Sequence, residues 1–188
     1  MNVVLREPWP VERFLSWEDA QEGKHEFDGT RIIEMTGGSR AHQRIIFNLM
    51  RLLTEHLDSE AFDAVQEMRV EVAGKVRYPD VTVCAGRIPD GTRTLRSALV
   101  IFEVLSDQTA DIDRQAKRIE YASLPGMRRY ILLEQHSIAA TILALSAGNW
   151  HETRITSGGL PLPELGIELP IGEIYRSVRI DPSSRTQR

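Results

Sequence analysis

A mixed α/β fold is what this sequence predicts, for three reasons. Apolar side chains recur at helical spacing from Arg40 to Leu57. The stretch ALVIFEVLS at 98–106 is apolar on both parities, which marks a strand covered on both faces. The two kinds of segment follow one another as helix, hairpin, helix, strands, helix, strands, an order that builds a layered domain. At 188 residues the chain is long enough for a core of its own. It shows neither an internal repeat nor a linker able to divide residues 1–176, so one domain is expected there.

Residues 10–22, PVERFLSWEDAQE, suit a short helix with Pro10 tolerated in the first turn. HEFDGTRIIEM reads as a hairpin, because Asp28-Gly29 is a turn signal and Ile32-Ile33 begins the return strand. Thr36-Gly37-Gly38-Ser39 is a loop that ends on a natural helix cap, Ser39. In the helix that follows, Ile45, Leu49, Leu52, Leu53 and His56 gather on one side. Arg40, Arg44 and Arg51 lie within about 40° of one another on the opposite side, a solvated face before it is a phosphate contact. His42 falls among the apolar positions at the very start of the helix. Met68, Val70 and Val72 alternate with charged neighbours, giving a strand with one wet face. Ala73-Gly74-Lys75 turns the chain, and residues 76–84 return as a second strand, interrupted beside Pro79, which has no amide proton for the ladder. Residues 86–97 form a polar loop. After ALVIFEVLS a helix spans about 109–124 and stops at Pro125-Gly126. RRYILLE, IAATILAL and NWHETRI supply three further strands, followed by a turn-rich stretch and a short helix near 171–176.

Composition bounds function before any motif does. At 41% hydrophobic and 27% charged, the chain is an ordinary globular protein. Charge breaks its apolar runs too soon for a membrane span. The opening MNVVLREPWP, with Glu7 and two prolines, lacks the apolar centre of a signal peptide. The single cysteine, Cys84, excludes an internal disulfide framework and a cysteine-rich zinc site, and it follows Val83 as a small core residue would. A cytoplasmic protein is expected. The net charge of −4 argues against holding nucleic acid by bulk field alone, although a local patch or bound cation can reverse the sign where it matters. Residues 177–188 read as a basic terminal tail.

Two acids stand out. Asp80 opens the Val-Thr-Val run directly after a proline, and Glu103 sits in VIFEVLS with apolar neighbours on either parity. An ionised carboxylate in an apolar sheet is costly without a partner. Brought together, the two would push a proton onto one of them unless a cation intervened. A hard divalent cation answers this, since carboxylate oxygens are its preferred ligands and magnesium takes only one or two from protein. Separate pairing of each acid with an arginine or a backbone amide is the plainer alternative.

Pro79-Asp80, followed by Glu103 in the middle of an apolar strand, is the core pattern of the PD-(D/E)xK nuclease superfamily. HEFDGTRIIEMTGGSRAHQRIIFNLMRLL, YPDVTV, FEVLSDQT and DRQAKRIEYASLPGMRRYILLE together resemble the Uma-type "putative restriction endonuclease" family, a branch of that superfamily. The resemblance covers about residues 16–175, four motifs in the right order. It implies a restriction-endonuclease-like core, in which helices flank a central mixed β-sheet. It also implies a site for Mg2+ or Mn2+ on Asp80 and Glu103, and hydrolysis of nucleic-acid phosphodiester bonds, DNA foremost. The superfamily's usual lysine, two residues after the second acid, is replaced here by Leu105. The Uma-type branch carries a lysine on the following helix, and Lys117 stands at the matching position.

Periodicity alone does not put Lys117 in the site. Ile112, Ala116 and Ile119 share a face, and Lys117 lies roughly 140° from Ile112, although Tyr121 and Leu124 share its side. Glu34, which ends the hairpin, and His42 match the resemblance too: Glu34 as a third acid at the rim, His42 as a proton or phosphate contact. A Glu34–His42 hydrogen bond fixing the hairpin to the helix is equally compatible with the sequence. In the resulting mechanism the metal polarises a phosphoryl oxygen and activates water, and Lys117 orients that water or stabilises the transition state. Two other classes stay open. One is a catalytically silent nucleic-acid-binding or assembly domain on the same fold. The other is a metal phosphoesterase with a non-DNA substrate, because the dense basic face of a tight duplex binder is missing. Cutting two strands makes a homodimer the expected assembly.

Overall fold

In chain order the elements are β1 (Val3–Val4), α1 (Val11–Glu18), β2 (His25–Phe27), β3 (Arg31–Glu34), α2 (Arg40–His56), β4 (Phe62–Gln66), β5 (Arg69–Val72), β6 (Lys75–Arg77) and β7 (Val81–Ala85). They continue with β8 (Thr94–Leu95), β9 (Val100–Leu105), α3 (Asp111–Ala122), β10 (Arg129–Glu134), β11 (Ala140–Ser146), β12 (Asn149–Ile155), β13 (Gly159–Leu162), β14 (Ile167–Pro170) and α4 (Ile171–Ile174). This computed structural model describes residues 3–5, 7–105 and 111–180, with side chains from 115 onward in the last span. Most of the expected basic tail, the end of FEVLSDQT and the expected start of the third helix lie outside the described residues.

The strands form a first sheet, β1-β3-β2-β6-β5-β8, a second, β12-β11-β10-β9-β7-β4, and a small β13-β14 pair. In the second sheet β9 and β10 run parallel and the remaining neighbours antiparallel, which makes it the expected mixed sheet. Its two faces are covered differently. Ile45, Ile46, Leu49, Leu52 and Leu53 of α2 pack on Val81 and Val83 of β7 and on Val100, Phe102 and Val104 of β9. On the other face Cys84 and Ile101 meet Tyr121 of α3 and Leu124 just beyond it, together with Val70 and Val72 of the first sheet. Both parities of β9 are therefore covered, as its composition requires.

The first sheet packs its outer face on α1, where Phe14, Phe27, Ile32 and Val76 form a separate small core. The Phe14 and Phe27 rings stack at 4.8 Å. The hairpin turn is held by Asp28, whose carboxylate accepts from the Thr30 amide at 2.9 Å and the Arg31 amide at 2.7 Å. Gly29, at φ 96°, supplies the left-handed residue that this turn needs. Ser39 caps α2 as expected, its hydroxyl accepting from the His42 amide at 3.2 Å.

Residues 76–84 depart from the expected single strand. β6 ends at Arg77 in the first sheet and β7 begins at Val81 in the second, so Tyr78-Pro79-Asp80 is the crossing between sheets. A proline that cannot donate to a ladder is well suited to that place. Four strands appear where alternation in the sequence is weak: β4, the two-residue β8 inside the expected loop, and β13 and β14 inside the turn-rich stretch.

Candidate active site

The crossing sets the first acid. β7 and β9 pair antiparallel with Val81 opposite Phe102, so one step further along the register brings Asp80 beside Glu103. Asp80 Oδ2 accepts from the Val104 amide at 2.6 Å, so the carboxylate binds the neighbouring strand just where the ladder begins. Its Oδ1 lies 3.3 Å from His42 Nε2, at the capped start of α2. The Asp80 carbonyl accepts from the Glu67 amide at 3.0 Å, which fixes the backbone at the same residue.

Glu103 lies on the face of β9 that looks toward α3. Its Oε1 accepts from Tyr121 Oη at 3.1 Å and from Lys117 Nζ at 3.2 Å. Lys117 is 8% exposed although it is a lysine near a helix centre. A second carboxylate approaches the same ammonium, with Glu26 Oε1 3.2 Å from Nζ. Glu26 also accepts from the Tyr78 amide at 3.3 Å and pairs through Oε2 with Arg77 Nη1 at 3.0 Å. Arg77 gives Nε and Nη2 to the two oxygens of Glu120 at 2.8 and 2.9 Å, and Lys75 reaches Glu120 at 2.7 Å. The chain of charges thus runs from Asp80 and Glu103 on the second sheet, through α3, to β2 and β6 on the first.

The electrostatics follow from that arrangement. Four carboxylates (Glu26, Asp80, Glu103, Glu120) face three fixed cations (Lys75, Arg77, Lys117) and the titratable His42. Burial pushes the Glu103 carboxyl up, the Lys117 charge pulls it down, and Asp80 and Glu26 push it up again, to about 7. Burial opposes a charge on His42, but the hydrogen bond and charge of Asp80 outweigh it, and the imidazole sits above its ordinary 6.5. Burial, then the Glu103 charge, holds the Tyr121 hydroxyl protonated as a donor. Among the described residues no three His, Cys, Asp or Glu side chains converge as a metal shell. The hard oxygen donors on offer to a cation are the carboxylates of Asp80 and Glu103. That pair matches an ion that takes one or two carboxylates from protein and keeps its waters.

Four of the five residues singled out in the sequence come together: His42, Asp80, Glu103 and Lys117. Glu34 is exposed at the end of β3, opposite His25 in the hairpin register. The hairpin's contribution to the cluster is Glu26, which the sequence reading missed. Glu26 sits on the opposite parity to the core residue Phe27, the place where a solvated acid is ordinarily found. Only the arrival of α3 on that face buries it, and strand alternation carries no sign of that.

A mixed sheet with one acid at the entry to a strand and another on the strand beside it, faced by a lysine from the next helix, defines a protein of restriction-endonuclease-like fold. The chain belongs to the Uma2 family, whose model, described as "Putative restriction endonuclease", matches residues 11–172. It is 30% identical over 173 residues to the uncharacterized protein slr1290 of Synechocystis sp., across 89% of this chain and 91% of that one. It is 33% identical over 129 residues to the uncharacterized protein sll1609 of the same organism, across 65% of this chain and 72% of the other. The fold is similar to the crystal structure of a "putative nuclease belonging to DUF820" from Anabaena variabilis, with a TM-score of 0.68 at 16% identity, covering 89% of this chain and 98% of that one.

Proposed function

We propose that the protein is a divalent-metal-dependent endonuclease that hydrolyses phosphodiester bonds in DNA. One observation carries this reading: Asp80, Glu103 and Lys117, from three separate elements, meet in one largely dry cluster, with Lys117 Nζ 3.2 Å from Glu103 Oε1. Mg2+ or Mn2+ held by Asp80 and Glu103 would polarise a phosphoryl oxygen and supply a bound water of lowered pKa. The protein's own part is orientation and charge. The Val104 amide and His42 fix the Asp80 carboxylate, and Tyr121 and Lys117 fix that of Glu103. The Lys117 ammonium would stabilise negative charge that develops on the transferring phosphoryl group. His42, favoured in its cationic form by Asp80, offers a proton or a positive charge beside the same group.

The test is incubation of the pure protein with supercoiled plasmid, single-stranded DNA and RNA, with Mg2+, with Mn2+ and with chelator. Metal-dependent loss of supercoiled DNA is expected, and Asp80→Ala should abolish it while circular dichroism shows an intact fold. Cleavage retained in Asp80→Ala contradicts the assignment of the site. Cleavage of RNA alone contradicts the substrate. The ratio of nicked to linear product reports whether two copies act as the expected pair.

A further inference from the structure

We infer that Glu26 is a positioning residue that keeps the Lys117 ammonium in the site while a cation occupies Glu103; this rests on the metal-dependent reading above. Lys117 Nζ stands at 3.2 Å from each of two carboxylates, Glu103 and Glu26. Glu103 belongs to the pair that would hold metal, and Glu26 does not. A lysine is a compact charge on a flexible stem and moves to the nearest anion. If Glu103 were its sole anion, a divalent ion and the ammonium would compete for one carboxylate and repel each other across it. Glu26 removes that conflict, because Lys117 can lean toward it and leave Glu103 to the metal with no change of backbone.

The surroundings of Glu26 suit that task. It is 4% exposed, and its other oxygen is anchored by Arg77 at 3.0 Å, with the Tyr78 amide at 3.3 Å as a further tie. Arg77 is clamped in turn by Glu120, one turn beyond Lys117 on the same helix. The carboxylate and the lysine it faces are thereby held to one frame. Glu26 is not needed to glue α3 to the first sheet, since Lys75 and Arg77 already bind Glu120 across that contact.

Calorimetric titration with Mn2+ of the wild type, Glu26→Gln, Lys117→Met and the double variant separates positioning from plain charge. Glu26→Gln should weaken Mn2+ binding about tenfold when Lys117 is present and less than about twofold when it is absent, the non-additivity expected of coupled neighbours. Glu26→Asp, which keeps the anion, should recover most of the lost affinity. Equal weakening in both backgrounds, or none in either, overturns the positioning role. A wild type that binds no Mn2+ overturns the metal reading itself, a different and separately visible result. Circular dichroism verifies each fold, and Lys117→Gln replaces Lys117→Met should the latter fail to fold.

Discussion

Arg77→Met removes the centre of the buried charge network. Arg77 is 2% exposed and holds both oxygens of Glu120 and one of Glu26. Methionine preserves much of the aliphatic volume, so the loss is chiefly electrostatic. Removing one partner of a buried ion pair costs about 3–5 kcal/mol, because the other charge is left uncompensated. Here each orphan keeps a second cation, Glu120 with Lys75 at 2.7 Å and Glu26 with Lys117 at 3.2 Å. The lower end, about 3 kcal/mol, is therefore expected. For a domain of this length each kcal/mol moves the midpoint by about 2–4 °C, which gives a fall in Tm of roughly 6–12 °C. Burial opposes the Arg77 charge but Glu120 and Glu26 hold its pKa above the ordinary arginine value, so the guanidinium does not discharge in any working buffer. Urea unfolding at pH 7 and calorimetric melts measure the loss. The double variant Arg77→Met, Glu120→Met should recover at least half of it, because replacing a whole buried pair by apolar groups is close to neutral and Lys75 can reach solvent. A single variant within about 1 kcal/mol of wild type, or a double variant no better than the single, refutes the reasoning.

Other outcomes follow from the same geometry. Between its ordinary 4.5 and about 7, Glu103 in the folded protein holds a proton that the unfolded chain has released, so metal-free stability should fall as pH rises through that window. Glu103→Gln keeps an acceptor for Tyr121 and removes the titration. In chelator it should melt above wild type at pH 8 and match it at pH 4, and a profile parallel to wild type would contradict this. Gly38 packs against the His42 ring so closely that an added Cβ would run into the imidazole. Gly38→Ala should therefore displace His42 from Asp80 at a stability cost of about 1–3 kcal/mol. In an NMR titration the His42 pKa should drop from its raised position toward 6.5, and an unmoved titration rules the displacement out.

The two acids were legible in the sequence because each broke an apolar pattern, and a broken pattern is a local signal. Lys117 was not legible that way. α3 turns its charged stripe inward, burying Lys117, Glu120 and Tyr121, while Ile119 is left 76% exposed. Apolar periodicity points to the wrong face of such a helix, and only the family resemblance placed the lysine. The same inversion hid Glu26 and Arg77, since charged residues on a strand's second face read as solvated. The covering of that face by α3 depends on partners some 40 residues or more away in sequence. Pro79 is legible as a break in a ladder but not as the passage from one sheet to another, because backbone direction beyond the break has no local sequence signature.

That passage has a bearing on synthesis. Asp80 is the last residue of the link between the two sheets, and its neighbours in the cluster come from chain segments as far apart as Glu26 and Tyr121. A nascent chain that has emerged only as far as β7 already carries Glu26, His42 and Asp80, yet lacks Glu103, Lys117 and the strand that gives Asp80 its amide partner. The charge cluster thus stays incomplete until translation has delivered α3 and both sheets have docked, which makes its assembly one of the later events in folding.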